Sequence, residues 1–283
     1  MIPLTRHGWR EMVVGTLLLA AGGWGLWMLY PPLVMLAVAV WVWLVAFFRD
    51  PFRKLPADPK AVVSPADGMV ADITNIEFDE LLGGPAVRVG IFLSVFNVHI
   101  NRSPCDGVVV ATKYKPGKFI NAMRHNDAST QNESNTIVIA DAVSHRPIAV
   151  VRQIVGLIAR RIVCTARQND RLTRGQRIGM IKFGSRTELY LPLWLAPRID
   201  VHIGQSVRGA ADVIATVTAT EFAESAGHSP SSPSPCTRGE GSAASAEQAV
   251  APPPIQPSRY PSPCVQGEGK RAENPAPPPE VSA

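Results

Sequence analysis

Residues 179–192 read GMIKFGSRTELYLP. Two strand-like runs meet there at Gly184-Ser185, with Lys182 before the pair and Arg186 after it. Gly and Ser are ordinary hairpin residues, so turn chemistry alone accounts for their presence. Outward from this point the same rhythm fills residues 51–222, in short β-like runs such as GMVADI, AVRVGIFLS, GVVVATKY, NTIVIADA and ADVIATVTAT, broken by Gly, Pro and Asp. Long amphipathic helices are scarce. The pattern predicts a mainly β domain, a sandwich or partly closed barrel.

The phrases SPADGMVADI, RLTRGQRIGMI and VRGAADVIATV carry the Gly-punctuated rhythm of barrel-sandwich domains. That likeness is one of fold and fixes no function. The flanks differ from this domain. Residues 12–30, MVVGTLLLAAGGWGLWMLY, carry no charge and would extend about 28 Å as a helix, enough for a bilayer core of about 30 Å. Pro31 and Pro32 end that run, and a second apolar run, Leu33 to Phe48, follows. Residues 1–50 are therefore expected to form a transmembrane or membrane-embedded helical hairpin. Arg6 and Arg10 precede it, while Arg49, Arg53 and Lys54 follow it, so both ends are expected on the cytoplasmic side of the cell membrane. A signal peptide fits less well, because a second apolar run follows and no small-residue cleavage site separates the two. Residues 223–283 hold half of the 26 prolines and repeat a PSPCxxGEG unit, a composition expected to stay disordered.

Net charge is +5, and residues 1–222 carry 24 basic against 17 acidic side chains. Such a surplus suits an anionic membrane surface or nucleic acid. No stretch interleaves aromatic and basic residues as single-strand binders do, so no nucleic acid partner is expected. Four cysteines, Cys105, Cys164, Cys236 and Cys264, lack CxxC spacing, and His125, His145 and His202 lack metal-ligand spacing. No disulfide framework or metal site is expected.

Taken singly, the polar candidates have ordinary explanations. Asp67 in SPADG reads as a turn, His99 in FNVHINR as a strand residue bonded to backbone, and Arg102 as a partner for phosphate or carboxylate. Ser185 lacks the Gly-x-Ser-x-Gly elbow of an ordinary hydrolase. Taken in order they are specific. An apolar hairpin ending in FFRDPFR, then SPADG, FLSVFNVHINRSP, YKPGKF, NESN and GQRIGMIKFGSRTELYLP, resembles the short form of the phosphatidylserine decarboxylase proenzyme family over almost all of residues 40–220.

The resemblance implies an enzyme that removes CO2 from phosphatidylserine to give phosphatidylethanolamine. It also implies a cofactor made from the chain itself. Ser185 would attack the Gly184 carbonyl, the chain would part between 184 and 185, and residue 185 would become a pyruvoyl group, the Schiff-base site for the substrate amine. By the same resemblance His99 is the base and Asp67 orients it, a Ser-His-Asp relay. The two chains would remain as a heterodimer, open to further oligomerisation. Longer family members have a second His where this chain has Phe96, so another proton donor must serve the α-carbon. Lys182, Arg186 and Arg102 could hold the lipid phosphodiester or simply solvate a strand edge. A membrane-anchored adaptor, a lipoyl or biotin carrier modified at Lys182 and a tethered serine hydrolase are the competing readings. They are disfavoured by the missing heptads, by Ile181-Lys182-Phe183 in place of a carrier's tip and by the missing elbow.

Overall fold

The computed structural model describes residues 3–119, 129, 131–156, 161–182 and 184–218. The expected tail, 223–283, and His125 lie outside them. The chain opens with helix α1, Trp9–Leu29, which ends before Pro31 and Pro32, and helix α2, Val34–Phe47. The prolines act as expected: they cannot continue α1, but they suit the first turn of the next helical segment. Helix α1 leaves Leu17, Leu18, Trp24, Trp27 and Met28 exposed, and it is long and apolar enough to cross a membrane. At 14 residues α2 spans about 21 Å, short of a bilayer core. The helices pack together, and Trp41 Nε1 donates to Thr16 Oγ1 at 3.0 Å.

The remainder is mainly β, as the alternating runs predict. In chain order the first seven strands are β1 Ala61–Val63, β2 Gly68–Asp79, β3 Gly84–Leu93, β4 Ile100–Arg102, β5 Gly107–Lys115, β6 Ser134–Ala140 and β7 Pro147–Val155. They are followed by β8 Arg161–Cys164, β9 Arg171–Leu172, β10 Arg177–Lys182, β11 Ser185–Pro192, β12 Arg198–Ile199, β13 Ser206–Val207 and β14 Val213–Thr216. A curled eight-stranded sheet has the order β13-β2-β3-β11-β7-β6-β5-β9. Two small sheets, β1-β14-β12 and β4-β10-β8, complete the domain. A core of Val89, Ile91, Ile137, Val151, Leu189 and their neighbours fills the space on one face of the large sheet.

Strands β10 and β11 do not form a hairpin. β10 pairs with β4 and β8, whereas β11 lies between β3 and β7 in the large sheet. The chain crosses between sheets at Gly184, whose φ is +65°. That left-handed conformation, rather than any lack of room, is what requires glycine, since an added Cβ would meet only Val95 at 3.9 Å.

Alternation along β11 sends Ser185, Thr187 and Leu189 to the core face and Arg186, Glu188 and Tyr190 to the other. On that second face Arg186 is fully buried, ion-paired with Asp72 of β2 and with Glu188 at 2.9 Å. Glu188 also accepts from Ser129 and from Tyr190. Gly90, opposite Glu188 in the ladder, makes room for the guanidinium: a Cβ there would lie 2.0 Å from Arg186 Nη2. Gly90→Ala should therefore cost about 1–3 kcal/mol through overpacking, read as a lower Tm of the detergent-solubilised protein. An unchanged Tm would mean that the arginine can move aside.

Candidate active site

Ser185 is the first residue of β11, and Gly184 turns its side chain inward. The side chain is fully buried, and among the described residues its Oγ has no hydrogen-bond partner. A buried hydroxyl without a partner is costly, and such groups concentrate where chemistry is done. Across the gap between sheets stands His99, immediately before β4, also fully buried. Its Nδ1 lies 2.9 Å from the Asn97 carbonyl, and its Nε2 accepts the Gly184 N–H at 3.2 Å. The two contacts define one tautomer, with the proton on Nδ1 and the lone pair on Nε2 turned toward the Gly-Ser pair.

Burial holds the imidazole neutral. It lowers the His99 pKa to about 4, helped by the cation of Arg49 and opposed by the hydrogen bond to Asn97. The aromatic ring of Phe47, the last residue of α2, lies 4.4 Å from the imidazole, centroid to centroid.

A polar ladder sets the distance between the sheets. Asn101 of β4, two residues after His99, donates to Thr187 Oγ1 at 2.9 Å, two residues after Ser185. Gln153 of β7 donates to Asn101 Oδ1 at 2.9 Å, and Asn135 of β6 donates to Gln153 Oε1 at 3.1 Å. All four residues are buried. Nothing in the local hydropathy pattern announces this network. Its signal was the presence of amides at inward positions of otherwise apolar strands.

The other predicted residues lie at varying removes. Asp67 accepts from the Gly209 N–H at 2.7 Å and from Arg53 at 2.5 Å, and no hydrogen bond among the described residues joins it to His99. Burial raises its pKa, against the pull of Gly209, Arg53 and the nearby arginines. Arg102 pairs with Asp50 at 2.7 Å and donates to the Gly175 carbonyl. Lys182 pairs with Glu11 of α1 at 2.6 Å. Arg186 is enclosed on the far face of the sheet by Asp72 and Glu188. Thus the fold brings Ser185, Gly184 and His99 together, and it gives each of the three candidate phosphate cations a carboxylate partner. His145 occupies a turn with φ +55°, and among the described residues no group of three or more His, Cys, Asp or Glu could hold a metal.

This geometry can be set beside known proteins. The family model for phosphatidylserine decarboxylase matches residues 42–215. The phosphatidylserine decarboxylase proenzyme of Rhodopirellula baltica is 44% identical over 218 residues, covering 76% of this chain and 88% of the relative. That of Burkholderia ambifaria is 41% identical over 220 residues, covering 75% and 95%. The chain belongs to the phosphatidylserine decarboxylase family. The match begins within α2 and ends within β14, so the family's shared region includes the strands from β1 to β13, most of β14 and the end of the helical hairpin.

The polar ladder can be tested within this framework. Asn101→Ala would strand the Gln153 amide and the Thr187 hydroxyl in a dry interior. A loss of about 1–3 kcal/mol is expected, read as a lower Tm. A Tm equal to that of the parent protein would show that water enters and satisfies both groups.

Proposed function

We propose that the chain is a self-processing phosphatidylserine decarboxylase, and that the hydroxyl of Ser185 converts the Gly184–Ser185 peptide bond into the enzyme's own pyruvoyl cofactor. The observation that carries this reading is a buried Ser185 Oγ, without a hydrogen-bond partner among the described residues, adjoining a left-handed Gly184, with the unprotonated Nε2 of His99 one residue away. His99 takes the hydroxyl proton as Oγ attacks the Gly184 carbonyl carbon. The C–N bond breaks, the proton passes to the departing amine, and an ester joins Gly184 to Ser185 Oγ. Removal of the Ser185 α-proton then breaks the Cβ–Oγ bond. Gly184 leaves as a carboxylate, and residue 185 becomes dehydroalanine. Water replaces its nitrogen, which departs as ammonia, and a ketone remains.

The pyruvoyl carbonyl supplies the electron sink that loss of CO2 from an α-amino acid requires. Burial of Ser185 and His99 keeps bulk water from the ester until elimination is complete. Asp67 acts at a distance in this scheme, fixing Arg53 and the 209 loop rather than the imidazole. The orienting contact to Nδ1 comes from the Asn97 carbonyl. Cleavage yields chains 1–184 and 185–283. The second begins with β11, held by ladders to β3 and β7, so the pair stays together as a heterodimer. The positive flanks of the hairpin support a cytoplasmic location for the domain, where a substrate with two acyl chains would be found by search in two dimensions.

Denaturing mass spectrometry of the purified protein should give two masses meeting at 184/185, the second chain blocked at its N-terminus and reactive with carbonyl reagents. A single intact chain in an active preparation would overturn the reading. Ser185→Ala should remain whole and inactive, and His99→Ala should stall cleavage; normal cleavage of the latter would remove His99 from the role of base.

The pH dependence follows from the sign of the shift. Only neutral His99 can accept the proton, and its folded pKa lies near 4. Cleavage of freshly synthesised proenzyme should be nearly flat above about pH 5.5 and fall as pH drops through the folded value. A midpoint near the ordinary histidine value of about 6.5 would contradict the dry environment described above.

A further inference from the structure

The helical hairpin does more than extend away from the domain. Its end is built into the seam that holds the Gly-Ser pair. Phe47 and Phe48 are buried and form an apolar cluster with Val98 and Ile100, which flank His99, and with Met180 of β10; Met12 of α1 packs against the same cluster. Phe47 and Phe48 meet edge to face, 5.0 Å apart, and Phe47 turns toward the imidazole. Thr5 N–H donates to the Phe48 carbonyl at 2.9 Å, so the segment before α1 is laced to the end of α2. On the other strand Lys182, two residues before Gly184, is buried and reaches back to Glu11 of α1. Arg49 closes the remaining side, donating to the Ala46 carbonyl and to the Phe96 carbonyl in the loop that leads to His99.

The geometry points to Phe47 as a positioning residue for self-cleavage, and to the hairpin as a wall of the cleavage site whose docking is required before Ser185 can react. The inference rests on the reading of His99 as the base. Phe47 covers the imidazole on one side, while the Asn97 carbonyl and the Gly184 N–H fix its two nitrogens, so the ring has a single orientation. Without Phe47 the imidazole could tilt away from Gly184, and water could reach it. The Glu11–Lys182 pair holds the other flank: it ties the strand entering Gly184 to α1, and a buried ion pair with one partner removed leaves an uncompensated charge. In consequence, a chain whose hairpin is not seated stays an uncut proenzyme.

Phe47→Ala in the full-length chain, followed by gel densitometry of the 184/185 cut in membranes, should slow cleavage at least tenfold near neutral pH. It should also raise the low-pH midpoint of cleavage by one unit or more, toward that of a hydrated histidine. The charged group facing His99 among the described residues is Arg49, which is unchanged by the substitution, so the movement would report water alone. Phe47→Tyr keeps an aromatic face and should restore both rate and midpoint. A purely structural role would lower the amount of folded protein and leave the midpoint where it was.

An independent arm uses the ion pair. Glu11→Lys and Lys182→Glu should each slow cleavage, and the double exchange should recover most of the rate. This arm decides where Phe47→Ala fails to accumulate. Wild-type rate and midpoint in Phe47→Ala, or no recovery in the double exchange, would overturn the inference while His99→Ala still blocks the cut. Cleavage in His99→Ala would instead remove the base reading on which it rests.

Discussion

Keeping one imidazole dry and neutral is the constraint on which the other features of the site depend. A hydrated histidine would gain a proton on modest acidification, whereas His99 keeps an Nε2 lone pair aimed at the Gly-Ser pair. Burial supplies that condition, and the Asn97 carbonyl selects the tautomer that makes it useful. A carboxylate at Nδ1 would raise the basicity of the ring and draw a proton onto it. A carbonyl orients the ring with less of that pull.

The rest of the fold maintains the separation between two sheets. Asn101 spans that separation with buried hydrogen bonds to Thr187 and from Gln153, and Asn135 of the same large sheet completes the Gln153 amide, so each group depends on the next for satisfaction. On the opposite face Arg186 reaches across β3 to Asp72 and pairs with Glu188, tying β11 to β2 through largely buried charges. One strand thus carries an amide and hydroxyl network on one face and an ionic one on the other. The period-two alternation of β11 is what allows both.

Much of this could be read from the chain. Alternating apolar runs separated by Gly, Pro and Asp gave a mainly β domain, and the uncharged stretch from Met12 to Tyr30 gave the long helix. Gly184 was recognisable because a glycine between two strands often marks a left-handed residue, although strand partners cannot be deduced from local pattern. That β10 and β11 belong to different sheets is a non-local fact. So is the partner of Lys182, whose Glu11 lies 171 positions earlier. Phe47 was legible only as the end of an apolar run, because nothing in a hydropathy pattern distinguishes a phenylalanine that meets lipid from one that meets a histidine. The Asp67 contacts were hidden for the same reason, since Gly209 is 142 residues away.

The central place of β11 carries a further consequence. Every residue from Ser185 to Pro192 pairs with β3, and those from Ser185 to Tyr190 also pair with β7. A fragment beginning at residue 185 could depart only by unzipping two ladders at once from the middle of a sheet. If the chain is cut as proposed, maturation would be a one-way event in the life of each molecule: the halves would be born in equal number, stay with the sibling they were made with and never be redistributed among neighbours.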